Sequence, residues 1–381
     1  MSMAFAVDVD EEFFAALAQP GIRGLRAYDP GHDLVALRRQ FDRQLLIELG
    51  SNENPYGASP AARAALLDVM HDMHRYPDPL GGKLKCALAA KHGIDPARLL
   101  LGNGSHELLM QFAQVFAGVG DEVVASQYGF AVYALAAQAA GATLREAPSH
   151  PPEHAMARGH DLEAIVAAIT ARTRLVYLAN PNNPTGTWFG KDAFASFMPR
   201  VPDNVLVVVD EAYVEFADAM DDTSALQVSA AHPNLIVTRS FSKAYALAGL
   251  RVGYAVAHPG LIAVLERVRE SFNVNVVGLA AAEAVLGDEE YLRWSLARNA
   301  EQRIALAAGL RQRGWFVHPS QTNFLLVEFG ASTSHIESAL LAQGVVVRPM
   351  AGYGLPACLR ITVGEAGENR RLLAALDAIS T

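Results

Sequence analysis

A lone lysine, Lys243, comes after the apolar run Leu235 to Val237, with hydroxyls at Ser240 and Ser242 just before it and Arg251 eight residues further on. Hydroxyls at the end of a strand donate to an anion, and a guanidinium grips anion oxygens with a planar pair of N–H groups. An amine held beside them in an apolar, cation-rich place loses proton affinity, because desolvation and a nearby positive charge both oppose the ammonium form. The neutral amine is the form that condenses with aldehydes. A surface lysine in a loop of small residues is the competing reading, and this motif by itself does not choose between them.

Two further stretches supply the rest of a site. Asp210 ends the apolar run Val205 to Val209, where a carboxylate is costly without a partner; a protonated ring nitrogen is one such partner, and a strand-end aspartate that caps the next turn is the competing reading. Tyr213, three residues on, offers a phenol to a ring oxygen, and Asn183 in NPNNPTG offers an amide, with Pro181, Pro184 and Gly186 setting the path of that loop. In GNGSHE, Gly102 to Glu107, a glycine turn opens a helix near Ser105 or His106 and points free amides at an anion. Amine, acid and anion cradle together describe pyridoxal phosphate, which is tethered by a Schiff-base lysine and whose ring serves as an electron sink.

These stretches need a scaffold that brings strand ends together. Strand-like runs fall at Glu122 to Ser126, Thr143 to Ala147, Leu175 to Ala179, Val205 to Asp210, Leu235 to Arg239 and Val252 to Ala257. Helical patterns separate several of them, at Val132 to Ala140, Asp161 to Ala171 and Lys191 to Met198. Alternation of this kind with near-continuous apolar strands predicts an α/β fold, a mostly parallel central sheet with helices on both faces. Ligands in such sheets sit beyond the carboxyl ends of the strands, where PNNPTG, DEAY and SFSK all fall. Upstream, helices are expected at Glu11 to Ala18, around Leu34 to Arg43, from Pro60 (with Ser59 as cap) to about His71, and from Lys83 to His92. Beyond Pro259 helices are expected at Leu261 to Arg269, Val276 to Leu286, Glu289 to Arg313, Ser334 to Ala342 and Glu368 to Ile379, with strands at Asn323 to Glu328, Val345 to Arg348 and Leu359 to Val363. The reading is an amino-terminal arm, 1–46, belonging to the small domain; a large ligand-binding domain, 47–275; and a smaller α+β domain, 276–381.

Composition narrows the partners. Half of the 381 residues are apolar, and 31 basic against 40 acidic residues give a net charge of −9, with no basic block to suit nucleic acid or a membrane surface. Cys86 and Cys358 are too few and too far apart for a disulfide framework or a zinc site, and no metal is expected. The acidic amino terminus is unlike a secretory signal, and no apolar run approaches membrane-spanning length, so the protein is expected in the cytoplasm.

ANPNNPTGT, VVVDEAYVEF, SFSKAYALAGLRVGY and SNENPYG together resemble the fold-type I pyridoxal-phosphate aminotransferases. HRYPD, GNGSHE, SQYGFAVY, PSQTNFLLVE, VVVRPM and LRITVG follow in family order, and within that group the chain is most similar to histidinol-phosphate aminotransferases. The resemblance implies a transaminase of small-molecule substrates working as a homodimer, exchanging an amino group between L-histidinol phosphate and 2-oxoglutarate. It implies that Lys243 carries the cofactor, Asp210 pairs with its ring nitrogen, Asn183 and Tyr213 bond its ring oxygen, and Phe130 stacks on its face. Phosphate contacts would come from the amides of Ser105 and His106, from Ser240, Ser242 and Arg251, and from Tyr76 of a neighbouring subunit. Arg360 would take the anionic end of the substrate, with Arg348 as a second cation and Asn54, Tyr56 and Tyr133 nearby. Rival readings are an aromatic amino-acid aminotransferase, a phosphoamino-acid decarboxylase of the same fold and a cofactor-sensing module of a regulator; the last lacks a basic DNA-binding segment. His106 stands in place of the usual aspartate, where it adds positive charge at low pH. Ala246 replaces a common glycine; alanine is strained there if the position needs positive φ and favoured if the segment is helical, and the helical segment is expected.

Overall fold

The computed structural model describes residues 11–28, 31–41, 46–218 and 220–379. In chain order the strands are β1 (Ile47–Glu48), β2 (Leu99–Gly102), β3 (Glu122–Ser126), β4 (Thr143–Ala147), β5 (Thr173–Ala179), β6 (Leu206–Asp210), β7 (Leu235–Ser240) and β8 (Gly253–Val256). They are followed by β9 (Phe316–Val317), β10 (Phe324–Glu328), β11 (Val345–Val346), β12 (Arg348–Pro349) and β13 (Cys358–Thr362).

Apolar runs such as LVVVD and LIVTRS bury both of their faces, which is what places them in the middle of a covered sheet. Seven strands lie in the order β2-β8-β7-β6-β5-β3-β4. The pairs from β7 to β4 are parallel, and β8 runs antiparallel to both β2 and β7. Successive strand residues point to opposite faces. Val208, Ile236 and Tyr177 therefore pack with Leu108 and Phe112 of the helix Ser105–Phe116, while Val207, Val209 and Val237 pack with Phe194 and Phe197 of the helix Lys191–Phe197.

The later part of the chain builds an antiparallel sheet in the order β12-β13-β10-β9. Residues of the helices Glu289–Gln312, Thr333–Ala342 and Ala366–Ile379 close a core over it. Ile47 and Leu49 join that same core, and β1 pairs in parallel with β11. The helix Val276–Gly287 packs instead on the helices Pro60–Val69 and Gly82–His92. The expected strand Val345 to Arg348 is thereby split: β11 pairs with β1, β12 pairs with β13, and Val347 turns the chain between two different neighbours.

Local signals account for the helix starts. Ser59 accepts from the amide of Ala62 ahead of Pro60, and Asp33 caps the helix Leu34–Gln40; positions 42 and 43 of the expected helix lie outside the described residues. His258 capping and Pro259 in the first turn begin the helix Pro259–Leu265 two residues earlier than its apolar pattern indicates. Both cysteines are free thiols. Among the described residues no helix is long and apolar enough to cross a membrane.

Candidate active site

Beyond the carboxyl ends of β5, β6 and β7 lies a cavity of about 220 Å³. Eleven of the residues singled out in the sequence wall it: Ser105, His106, Phe130, Asn183, Asp210 and Tyr213, then Ser240, Ser242, Lys243, Arg251 and Arg360. Its two ends differ in chemistry.

At one end Asp210, the last residue of β6, is 5% exposed. Its carboxylate accepts from the Tyr133 hydroxyl (3.2 Å), the Thr238 hydroxyl (3.2 Å) and the Ala212 amide (3.3 Å). All three donors are neutral. Burial dominates and pushes the Asp210 carboxyl up to about 6, against the pull of those hydrogen bonds.

At the other end donors converge. The helix Ser105–Phe116 begins with no side-chain cap, which leaves its first amides facing the cavity. Gly104, at φ 81°, is held to glycine by conformation, and a Cβ there would stand 2.1 Å from Nη2 of Arg251 and displace that guanidinium. A Cβ on Gly253 would come within 2.4 Å of the Ser105 nitrogen, so the β8 backbone can pass under the turn only as glycine. Arg251 donates through Nη1 to Ser242 Oγ (3.2 Å) and to the Ala248 carbonyl (3.0 Å), and Ser240 Oγ accepts from the Ser242 amide (3.0 Å).

Between these ends the half-buried Lys243 donates from Nζ to the Ser51 carbonyl (3.2 Å) and lies 5.8 Å from the centre of the Tyr213 ring. Burial first, then the positive charge of Arg360, brings its amine down to about 8. Arg360 itself donates to Asn183 Oδ1 (2.6 Å) and to the Gly50 carbonyl (2.8 Å) and lies 5.3 Å over Phe324, while its buried Nε has no partner. A carboxylate, a reactive amine and an anion cradle along one cavity match the basic nitrogen, aldehyde and phosphate of pyridoxal phosphate, so the residues present fit the expected cofactor.

Five candidates lie elsewhere. Tyr133 is 1% exposed and bonds Asp210 from behind, so it is not open to a substrate. Asn54 is turned to the Ala244 carbonyl and Ser295, and Tyr56 packs edge-on against Trp294. Arg348 sits opposite Arg360 in the β12–β13 register, outside the cavity lining. Tyr76 is 82% exposed and stacks on Phe272. The expectation for His106 is also revised. Burial and then Arg251 lower the proton affinity of its ring, which moves any charging to still lower pH. Ala246 has φ 56°, in the left-handed region, so the helical segment expected there is absent.

Sequence reasoning missed Asn52 and Tyr28. Asn52, at φ 56° and 1% exposed, donates to the Tyr213 hydroxyl (3.0 Å) and accepts from Thr362 (3.2 Å), tying the loop to the turn after β6 and to β13. Its place in SNENPYG was the available signal. Tyr28 lines the cavity edge-on to His106 and Phe130, and nothing local in its sequence marks it.

Comparison with known proteins shows what the whole chain is similar to. The model of the family described as aminotransferase class I and II matches residues 45–376. Histidinol-phosphate aminotransferase 2 of Methylococcus capsulatus is 46% identical over 363 residues, which is 95% of this chain and 98% of that protein. Histidinol-phosphate aminotransferase 2 of Pseudomonas fluorescens is 47% identical over 368 residues, 96% of this chain and 98% of that protein. The crystal structure of histidinol-phosphate aminotransferase from Sinorhizobium meliloti in complex with pyridoxal-5'-phosphate superposes with a TM-score of 0.85 at 32% identity, covering 95% of this chain and 97% of that one.

Proposed function

The chain belongs to the class I and II aminotransferases, and from that premise we propose that it exchanges an amino group between L-histidinol phosphate and 2-oxoglutarate through pyridoxal phosphate, giving imidazole acetol phosphate and glutamate. The observation that carries the reading is the single cavity walled by Lys243, Asp210, Arg251 and Arg360.

When bound, pyridoxal phosphate supplies an aldehyde that condenses with amines and a ring that takes up the electrons left when a substrate Cα proton departs. Lys243, its amine brought down to about 8, is the group that removes that proton at Nζ and returns it on the far side of the transfer. Among the residues that wall the cavity, Asp210 would hold the proton of the ring nitrogen, and Asn183 and Tyr213 would hold the ring oxygen. Ser240, Ser242, Arg251 and the amides of Ser105 and His106 would hold the phosphate, and Phe130 would cover the ring face. Arg360 keeps its Nε for the anionic end of either substrate, phosphate in one and carboxylate in the other, with Arg348 on the neighbouring strand adding positive charge.

The same reading makes the enzyme a cytoplasmic homodimer. Leu67, Met70, Met73, Tyr76 and Leu80 expose apolar surface within one stretch, and pairing of two copies there would carry Tyr76 to the partner's phosphate. Light scattering on the purified protein should give twice the chain mass.

Two assays test the function. Lys243→Ala should lose turnover by at least about a thousandfold together with the absorption band of lysine-bound cofactor. With 2-oxoglutarate as acceptor, histidinol phosphate should be turned over with a higher kcat/KM than phenylalanine; the reverse order would make the protein an aromatic amino-acid aminotransferase.

A further inference from the structure

Phe130 and Tyr133 stand three residues apart across the start of the helix Ala131–Ala139, their rings 6.0 Å apart and perpendicular. Phe130 reaches the cavity wall, whereas Tyr133 runs behind it into the core. The Tyr133 ring is fixed by a face-to-face stack on Tyr177, 4.8 Å between centres with planes 3° apart. Tyr177 is anchored in turn, its hydroxyl donating to the Leu109 carbonyl at 2.7 Å. The Tyr133 hydroxyl is therefore aimed rather than free to swing, and its target is Oδ2 of Asp210, 3.2 Å away.

The two oxygens of Asp210 are served unequally. Oδ1 accepts from both Thr238 and Ala212, while Tyr133 is the one donor recorded to Oδ2 among the described residues. No ion pair to Asp210 is formed among those residues either. A buried carboxylate without a cation depends on hydrogen bonds to stay ionised, and each removed donor favours the protonated form.

We propose that Tyr133 is a positioning residue for the transamination: by donating to Oδ2 it keeps the Asp210 carboxylate ionised and directed at the cofactor's ring nitrogen. This inference rests on the functional reading above and adds to it a residue that does not touch the cavity. The Tyr133 hydroxyl remains a donor throughout the working range, because burial and then the Asp210 charge push its own ionisation well above the ordinary tyrosine value. The other titratable groups facing the pair are Glu211 beside Asp210, Tyr213 on the cavity side, Tyr177 under the stack and Tyr353 near the Tyr133 ring, with Lys243 across the cavity. Of these Glu211 opposes ionisation of Asp210.

The experiment is a pH series of pyridoxal phosphate binding to the cofactor-stripped full-length protein, read by equilibrium dialysis, with thermal melting run beside it. Tyr133→Phe keeps the stack and removes the hydroxyl. It should fold and move the acid limb of binding up by about one pH unit, so that affinity falls about five- to tenfold near pH 6 and differs less than about twofold at pH 8.5. Replacing Tyr133 by 3-fluorotyrosine keeps the hydroxyl and makes it a stronger donor, which should move the limb down; this arm stands even where Tyr133→Phe is poorly folded. Acid limbs that coincide with the unmodified protein's in both substitutions overturn the role of Tyr133. A protein that binds no pyridoxal phosphate at any pH before substitution overturns the functional reading instead.

Discussion

Two sets of buried charges grow from the ends of the same two strands, and they are finished in opposite ways. Arg239 in β7 and Glu211 just after β6 face one side of the sheet, where the guanidinium donates to Glu211 Oε2 (3.0 Å) and to Ser224 Oγ (3.0 Å), and Glu211 also accepts from Ser224 and from the Ala225 amide. Asp210 and Thr238, each one residue earlier, face the other side together with Ser240, and there no cation pairs with Asp210 among the described residues. Arg239 and Glu211 complete each other, although Glu215 at 3.9 Å from Arg239 keeps one oxygen without a partner, and a completed pair of this kind holds a fold together; a buried carboxylate that lacks a cation is shaped for a ligand that brings one.

If that distinction is right, substitutions in the two sets should separate stability from activity. Arg239→Met leaves Glu211 buried at 0% exposure without its cation, and removing one member of such a pair costs about 3–5 kcal/mol. Chemical denaturation should show that loss in the cofactor-free protein. A change under about 1 kcal/mol would mean that the cluster is not what secures the strand ends.

Asp210→Asn should act in the reverse sense. Turnover falls by at least about a hundredfold, because nothing then holds the proton on the ring nitrogen. Stability of the cofactor-free protein rises. The sign follows from the shift: an acid whose folded value, about 6, lies above its ordinary 3.8 destabilises the fold at pH above 6 and does so progressively less as pH falls through 6 toward 3.8. The gain from Asp210→Asn at pH 8 is therefore at most about 3 kcal/mol and should vanish near pH 4. A destabilised Asp210→Asn protein at pH 8 would show that Asp210, like Glu211, is fully served by its own chain.

The difference between the two sets also marks what the sequence can reveal. Lys243, Asp210, Asn183 and Arg251 are legible because each sits in a short motif at a strand end, where residue type and position together state the chemistry. The large sheet is legible for a similar reason, since β3 to β7 are local apolar runs between helical patterns. Tyr133 was placed near the substrate by the resemblance alone, and the direction of its hydroxyl is decided by the stack on Tyr177, 44 positions further along the chain. Likewise, β11 and β12 look like one strand because their two partners, β1 and β13, come from opposite ends of the sequence.

Ala246 is the sharpest local instance, and the smallest expected effect. Helix propensity favours alanine, but the chain after Lys243 folds back as a tight turn, with the Ala246 amide donating to the Lys243 carbonyl (3.1 Å) and the Leu247 amide to the Phe241 carbonyl (3.0 Å). Closing that turn puts residue 246 at φ 56°, where a Cβ crowds its own backbone and glycine does not. Ala246→Gly should therefore stabilise the protein by about 0.5–1 kcal/mol, the relief of strain being partly offset by the greater freedom glycine has when unfolded. Lys243 keeps its place, so kcat stays within about twofold, an effect below ~0.5 kcal/mol. A lower melting temperature for Ala246→Gly would mean that the alanine methyl packs usefully in the turn, and that this departure is a gain in contact instead of a tolerated strain.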